Sequence, residues 1–403
     1  MQALKKYFTI FITSIFIFLF IILISNVYSA KNSGTFYLKD IEGDRSILED
    51  ISITGELTDD LHRKLFSIKE NEINTRTELY NTPIGRYDNY KFIPGGPLVL
   101  GEKEYEVYGE NDFDIIYHNI REREKVGLAF VRTEFNQTQN RFSNALEFGL
   151  TSIEDKIYFT VPTTADYSGF NGIYELHFVE GGHSFMPTHE KEEASVLTTY
   201  PLDQNNMSVL GLESVGEKLA LIIKIENDLV IRGFTMNGLE LGEAHFDDFF
   251  ISISQDDSTS YPYDIFVNED DEIVTLSFQK EYYPIQHQIA NIDFSDGPKA
   301  INIVNPKIDD GIRDFHNHIE HMLFKNNKLY IILTTREHNN DQSFHYGLPI
   351  SFFIYVYEPT KLLYKGEIVT DINDDLLMYR NVTSITNRGQ LNKNRTLANI
   401  NIK

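Results

Sequence analysis

The side chains best suited to chemistry stand together in Arg313-Asp314-Phe315-His316-Asn317-His318-Ile319-Glu320-His321. Three imidazoles within six residues can serve as metal ligands or proton carriers. Spacing limits them, because a strand points alternate residues to opposite faces. His316 and His318 share a face and His321 falls on the other, so one strand cannot bring all three to a metal. We expect surface or hydrogen-bonded histidines here, and no metal site. Asp371-Ile372-Asn373-Asp374-Asp375 opens like a calcium loop, but Leu376 stands where the turn glycine belongs and Val382 where the bidentate glutamate belongs. It reads as a solvated turn. Ser295-Asp296-Gly297 lacks the aromatic of a sialidase-type Asp box and reads as a hairpin turn. No Gly-x-Ser-x-Gly elbow, His-Glu-x-x-His pair, phosphate-binding glycine loop or dinucleotide fingerprint occurs, and no cofactor is expected. Cysteine is absent altogether, which removes disulfides, thiolate metal sites and thiol nucleophiles.

The elements that must carry these residues are strands. After Ala30 the chain alternates short apolar-polar runs, such as Asp50 to Leu57 and Lys156 to Val161, with Asp, Asn and Gly turns. No later segment holds a helical apolar period for more than about two turns. A unit of strand, polar turn and apolar strand recurs at Leu146–Val161, Val209–Ile225, Tyr263–Phe278 and Ile319–Thr334. The second strands of these units begin at Ile157, Leu219, Ile273 and Leu329, in steps of 62, 54 and 56 residues. Such a period suits one four-stranded blade. Similar hairpins at Ile51–Ile68 and Ile115–Phe130 extend the pattern, although the step from Val126 to Ile157 is only 31. The fold class expected is all-β, a β-propeller of about six or seven blades over residues 31–403, with Pro-Gly-Gly-Pro at 94–97 as a long loop or a join. Arg395 to Lys403, apolar at Leu397, Ile400 and Ile402, is the strand expected to complete the first blade. Residues 376–403 carry five basic side chains and no acid, either as charge complementarity against the acidic body or as a docking tail.

Before the strands lies an export segment, residues 1–30. Lys5 and Lys6 precede an uncharged run from Tyr7 to Ala30 whose apolar part, Phe8 to Ile24, is 17 residues long. It is read as a transmembrane anchor through residues 7–25 or as a signal cleaved before Ala30, and its length favours the anchor. The short basic start places the C-terminal body outside the membrane. That body carries nearly all of a formal charge of −24, so nucleic acid is excluded as a partner.

In a propeller, loops entering the first strand of each blade share one face with loops joining its second and third strands. On this strand reading they are 163–171, 256–262, 280–287, 309–318 and 336–346, and they gather Tyr167, Tyr261, Tyr282, Arg313, His316 and Arg336. Aromatics and arginines on one rim are the ingredients of a binding surface. In architecture, by strand spacing and export segment, the chain resembles membrane-anchored or secreted β-propeller-type surface proteins of Gram-positive bacteria. What this implies is a non-catalytic binding protein at the cell membrane that takes a protein, peptide or glycan at its channel face. The alternative is an extracytoplasmic hydrolase or lyase acting on glycans or peptides with acids and histidines of the same face. Two facing buried carboxylates, one with a raised pKa, would favour the alternative.

Overall fold

The computed structural model describes residues 13–25, 36–58, 62–70, 72–79, 98–101, 103–109, 112–119, 126–137, 146–180, 193–202, 206–251, 263–282, 285–308, 318–336, 350–370 and 396–403. Residues 13–25 form a helix, on which the Ile, Phe and Leu side chains from Ile15 to Ile24 are all exposed. Among the described residues no helix is long and apolar enough to cross a membrane. Everything after it is strand, turn or short 3-10 helix.

Twenty-seven strands make six antiparallel sheets among the described residues. Strand β1 (Phe36–Gly43) leads, and β2 (Ser52–Thr58), β3 (His62–Lys69) and β4 (Glu72–Leu79) follow as a meander. The second sheet is β5 (Leu98–Leu100), β6 (Lys103–Gly109), β7 (Asp112–Asn119) and β8 (Val126–Arg132). Short β9 (Glu134–Gln137) joins the third, which is β10 (Leu150–Ile153), β11 (Lys156–Phe159), β12 (Tyr167–Glu175) and β14 (Ser195–Pro201), while β13 (Val179–Glu180) returns to pair with β8. The fourth runs β15 (Met207–Val215), β16 (Lys218–Ile225), β17 (Asp228–Thr235), β18 (Glu240–Phe246). The fifth runs β19 (Asp264–Asn268), β20 (Ile273–Tyr282), β21 (Ile285–Asp293), β22 (Lys299–Val304). The sixth runs β23 (His318–Lys325), β24 (Lys328–Arg336), β25 (Ile350–Glu358), β26 (Lys361–Thr370), with β1 added on the outer edge of β26. The last strand, β27 (Thr396–Ile402), pairs with β2 and supplies the first strand of the first sheet, as expected of the C-terminus.

The apolar runs explain this stacking. Leu219, Leu221 and Ile223 of β16 enter a core shared with the second and third sheets, while Ala220 and Ile222 enter one shared with the fifth. In β24, Leu329, Ile331 and Leu333 face the fifth sheet and Tyr330 and Ile332 face the first. A strand buried on both sides needs an unbroken apolar sequence, which is what Leu-Ala-Leu-Ile-Ile and Leu-Tyr-Ile-Ile-Leu provide. Burial of each such side chain contributes about 1.5–3 kcal/mol. First strands lie beside first strands, β10 against β15, β19 against β23 and β23 against β27. Meanders of four strands laid side by side in sequence, each packed through both faces, are a β-propeller organisation.

Second strands begin at Ser52, Lys103, Lys156, Lys218, Ile273 and Lys328, which resolves the irregular step of the sequence pattern. Val126 opens β8, the fourth strand of its sheet, whereas Ile157 lies in β11, the second strand of the next. The short step therefore compares unlike strands. Pro94 to Pro97, and the candidate calcium loop at 371–375, lie outside the described residues. Ser295 to Gly297 form the β21–β22 turn, in which Asp293 accepts the Ser295 N–H at 2.8 Å and Gly297 takes a φ of +109° that favours glycine.

Candidate functional site

Chain direction decides which loops share an edge. Each first strand runs away from its entering linker, and each second strand runs back, so linkers and the second-to-third turns leave the same end of a sheet. Side-chain contacts between sheets agree with a common direction. Near the opposite end, Lys218 at the start of β16 reaches Glu272 in the β19–β20 turn, and Lys328 at the start of β24 reaches Asp50 just before β2. Phe266 of β19 packs on His321 of β23 with ring centroids 5.1 Å apart, as neighbouring first strands in the same direction require.

The expected site residues fall on this frame unequally. Tyr282 ends β20 and Arg336 ends β24, both at the linker end, opposite Ile285 and Ile350 respectively. Tyr261, Arg313 and His316 lie outside the described residues. Tyr167 is described in full. The segment 163–171 is only in part a loop, since Tyr167 begins β12, and its ring is buried against Phe135 at 5.2 Å in the core of the third sheet. Burial pushes its hydroxyl up to about 12. His318 starts β23, and a bulge between Ile319 and His321 interrupts the alternation from which the histidine faces were argued. Among the described residues no group of three His, Asp or Glu is placed to hold a metal ion.

A further pair at the inner edge was not anticipated. Glu213 of β15 accepts a hydrogen bond from the Tyr263 hydroxyl at 2.8 Å, and Tyr263 immediately precedes β19. The contact therefore joins the first strand of the fourth sheet to the start of the first strand of the fifth. Phe148, ahead of β10, packs its ring 5.1 Å from that of Tyr263, and Phe278 of β20 packs at 5.6 Å. Gly211 makes room for the phenol, since a Cβ there would lie 2.0 Å from the hydroxyl oxygen. Burial among these rings raises the Glu213 carboxyl to about 8, against the opposing pull of the Tyr263 hydrogen bond. Tyr263 itself is pushed well above its ordinary value by burial and by the neighbouring carboxyl. The signal in the sequence was an acid inside Met-Ser-Val-Leu-Gly-Leu-Glu-Ser-Val, a strand otherwise without charge.

No family model matches the chain, and no curated protein matches it. Solved structures give distant likenesses. A prolyl endopeptidase is similar over 80% of this chain and 50% of its own, at 7% identity and a TM-score of 0.25, so this chain spans half the length of that one. The Nup133 β-propeller domain of Vanderwaltozyma polyspora is similar over 84% of this chain and 98% of its own, at 9% identity and a TM-score of 0.29. The tail fibre of Staphylococcus aureus phage P68 is similar over 87% and 99%, at 7% identity and a TM-score of 0.13.

Chemically, Glu213 and Tyr263 form one carboxyl with one phenol. That is a different arrangement from the two facing carboxylates of glycoside hydrolysis. A protonated carboxyl is a hydrogen-bond donor as well as an acceptor, and here it is held at the inner edge of two sheets.

Proposed function

We propose that this chain is a non-catalytic extracytoplasmic binding protein, a β-propeller of six blades attached to a membrane through residues 7–25, with its partner at the linker face. The observation that carries the reading is the common edge. Tyr282 and Arg336 end the second strands of successive sheets, and the linkers holding Tyr261, Arg313 and His316 enter first strands at that same edge. The partner is a protein, peptide or glycan. Arg forks onto a carboxylate and a Tyr ring supplies flat contact area at low entropic cost, whereas the net charge of −24 disfavours nucleic acid. The likeness to Gram-positive surface proteins and the outward orientation rest on the sequence of the first thirty residues.

Glu213 is the observation that favours the second reading, a hydrolase or lyase, because a carboxyl protonated near neutral pH is suited to general acid work. Its partner is a phenol that donates to it, so binding remains the better reading. Two experiments test the proposal. Full-length protein should fractionate with membranes and lose its body to protease added outside intact cells. Recovery in the cytosol contradicts the reading. Tyr282→Ala and Arg336→Ala should weaken partner binding while leaving the melting temperature within the range of surface substitutions.

A further inference from the structure

We propose that Glu213 and Tyr263 form a pH-sensitive latch that closes the inner edge between the fourth and fifth sheets. The geometry has four parts. The hydrogen bond, at 2.8 Å, crosses from the middle of β15 to the residue that starts β19. A bulge in β15 between Val209 and Gly211, together with the missing side chain at Gly211, lets the phenol reach across. Phe148 and Phe278 pack on the Tyr263 ring and hold it in place. The rest of the seam is apolar, with Leu210 and Val215 of β15 in the core shared with Tyr263, Leu276 and Phe278.

The groups facing the carboxyl are few. Tyr263 comes from the approach to β19, Phe278 from β20 and Phe148 from the segment before β10, and of these only the phenol titrates. Charge on Glu213 is therefore opposed by burial, and no cation appears among the influences on it. The closed seam keeps its proton up to about 8, while the same carboxyl released to water gives it up near 4.5. The sign follows directly. Between those values the closed state binds a proton that the open state does not, so raising the pH favours opening, and above about 8 no further change occurs.

Hydrogen exchange on the full chain tests this. Protection of amides in 207–215 and 263–268, corrected for intrinsic rates, should fall by about tenfold per pH unit between pH 5 and 8. Glu213→Gln, which keeps an acceptor for Tyr263 and cannot ionise, should abolish that slope. A flat wild-type profile, or an unchanged slope in Glu213→Gln, overturns the proposal. A second measurement does not depend on how well the variant folds. With carboxyl-labelled glutamate in the wild-type chain, NMR should find one carboxyl titrating near pH 8, and titration of every glutamate near 4.5 overturns the latch.

Discussion

A Cβ on Gly211 would lie 2.0 Å from the hydroxyl of Tyr263 and 2.7 Å from the carbonyl oxygen of Phe148. Nothing in that corner can give way cheaply, because the phenol is fixed by Glu213 and the carbonyl belongs to the backbone. Gly211→Ala should therefore destabilise the protein by about 1–3 kcal/mol, as overpacking does. Removing the hydroxyl as well, in Gly211→Ala with Tyr263→Phe, should recover part of the loss. Urea unfolding of the three variants checks both statements.

His287 of β21 sets a second pH dependence, with the opposite sign. Its Nδ1 lies 3.0 Å from the Ser277 hydroxyl, its Nε2 has no partner, and burial pulls the imidazole down to about 4. The folded value lies below the ordinary 6.5, so the stability is present above that value and is lost as the pH falls toward 4. The full loss is about 3 kcal/mol at 1.36 kcal/mol for each pKa unit. Melting temperatures between pH 7 and 4.5 should fall more steeply for the wild type than for His287→Gln.

Lys218 joins the fourth sheet to two turns of the fifth. Its ammonium donates to Glu272 at 2.8 Å and to the carbonyl oxygen of Phe294 at 2.8 Å. Part of this contact is open to water, so Lys218→Ala should cost only about 1 kcal/mol. A double-mutant cycle with Glu272→Gln separates the ion pair from the carbonyl contact. Coupling should be a few tenths of a kcal/mol and should shrink in high salt.

The C-terminal strand closes the first sheet, and the absence of cysteine makes this easy to trap. Thr58 of β2 stands opposite Thr396 of β27. Oxidised Thr58→Cys with Thr396→Cys should give one intramolecular disulfide, seen as a mobility shift that reductant reverses. Ile402→Ala, at a site only 3% exposed, should cost about 2–5 kcal/mol by calorimetry.

Much of this was legible in the sequence because strands buried on both faces leave unbroken apolar runs. Leu219, Ile273 and Leu329 lie within a residue of real second-strand starts. The second sheet was misread because Val126 begins a run as apolar as theirs, and apolarity does not tell a fourth strand from a second. Tyr167 read as a loop residue because Gly and Asn surround it, yet its ring fills the core beside Phe135. Glu213 and Tyr263 are 50 residues apart, and only the packing of sheet on sheet brings them together. Alternation within β15 can mark Glu213 as buried, but it cannot name the partner across the seam.

The binding face is tested most directly by photo-crosslinking in intact cells. A photoreactive residue is placed at 282 or 336, at the linker edge, and in parallel at 217 or 270, in turns at the opposite edge. Our account predicts adducts to a partner at 282 and 336 and none at 217 and 270. Adducts confined to 217 and 270, equal yields at both edges, or no adduct at any of the four would contradict it.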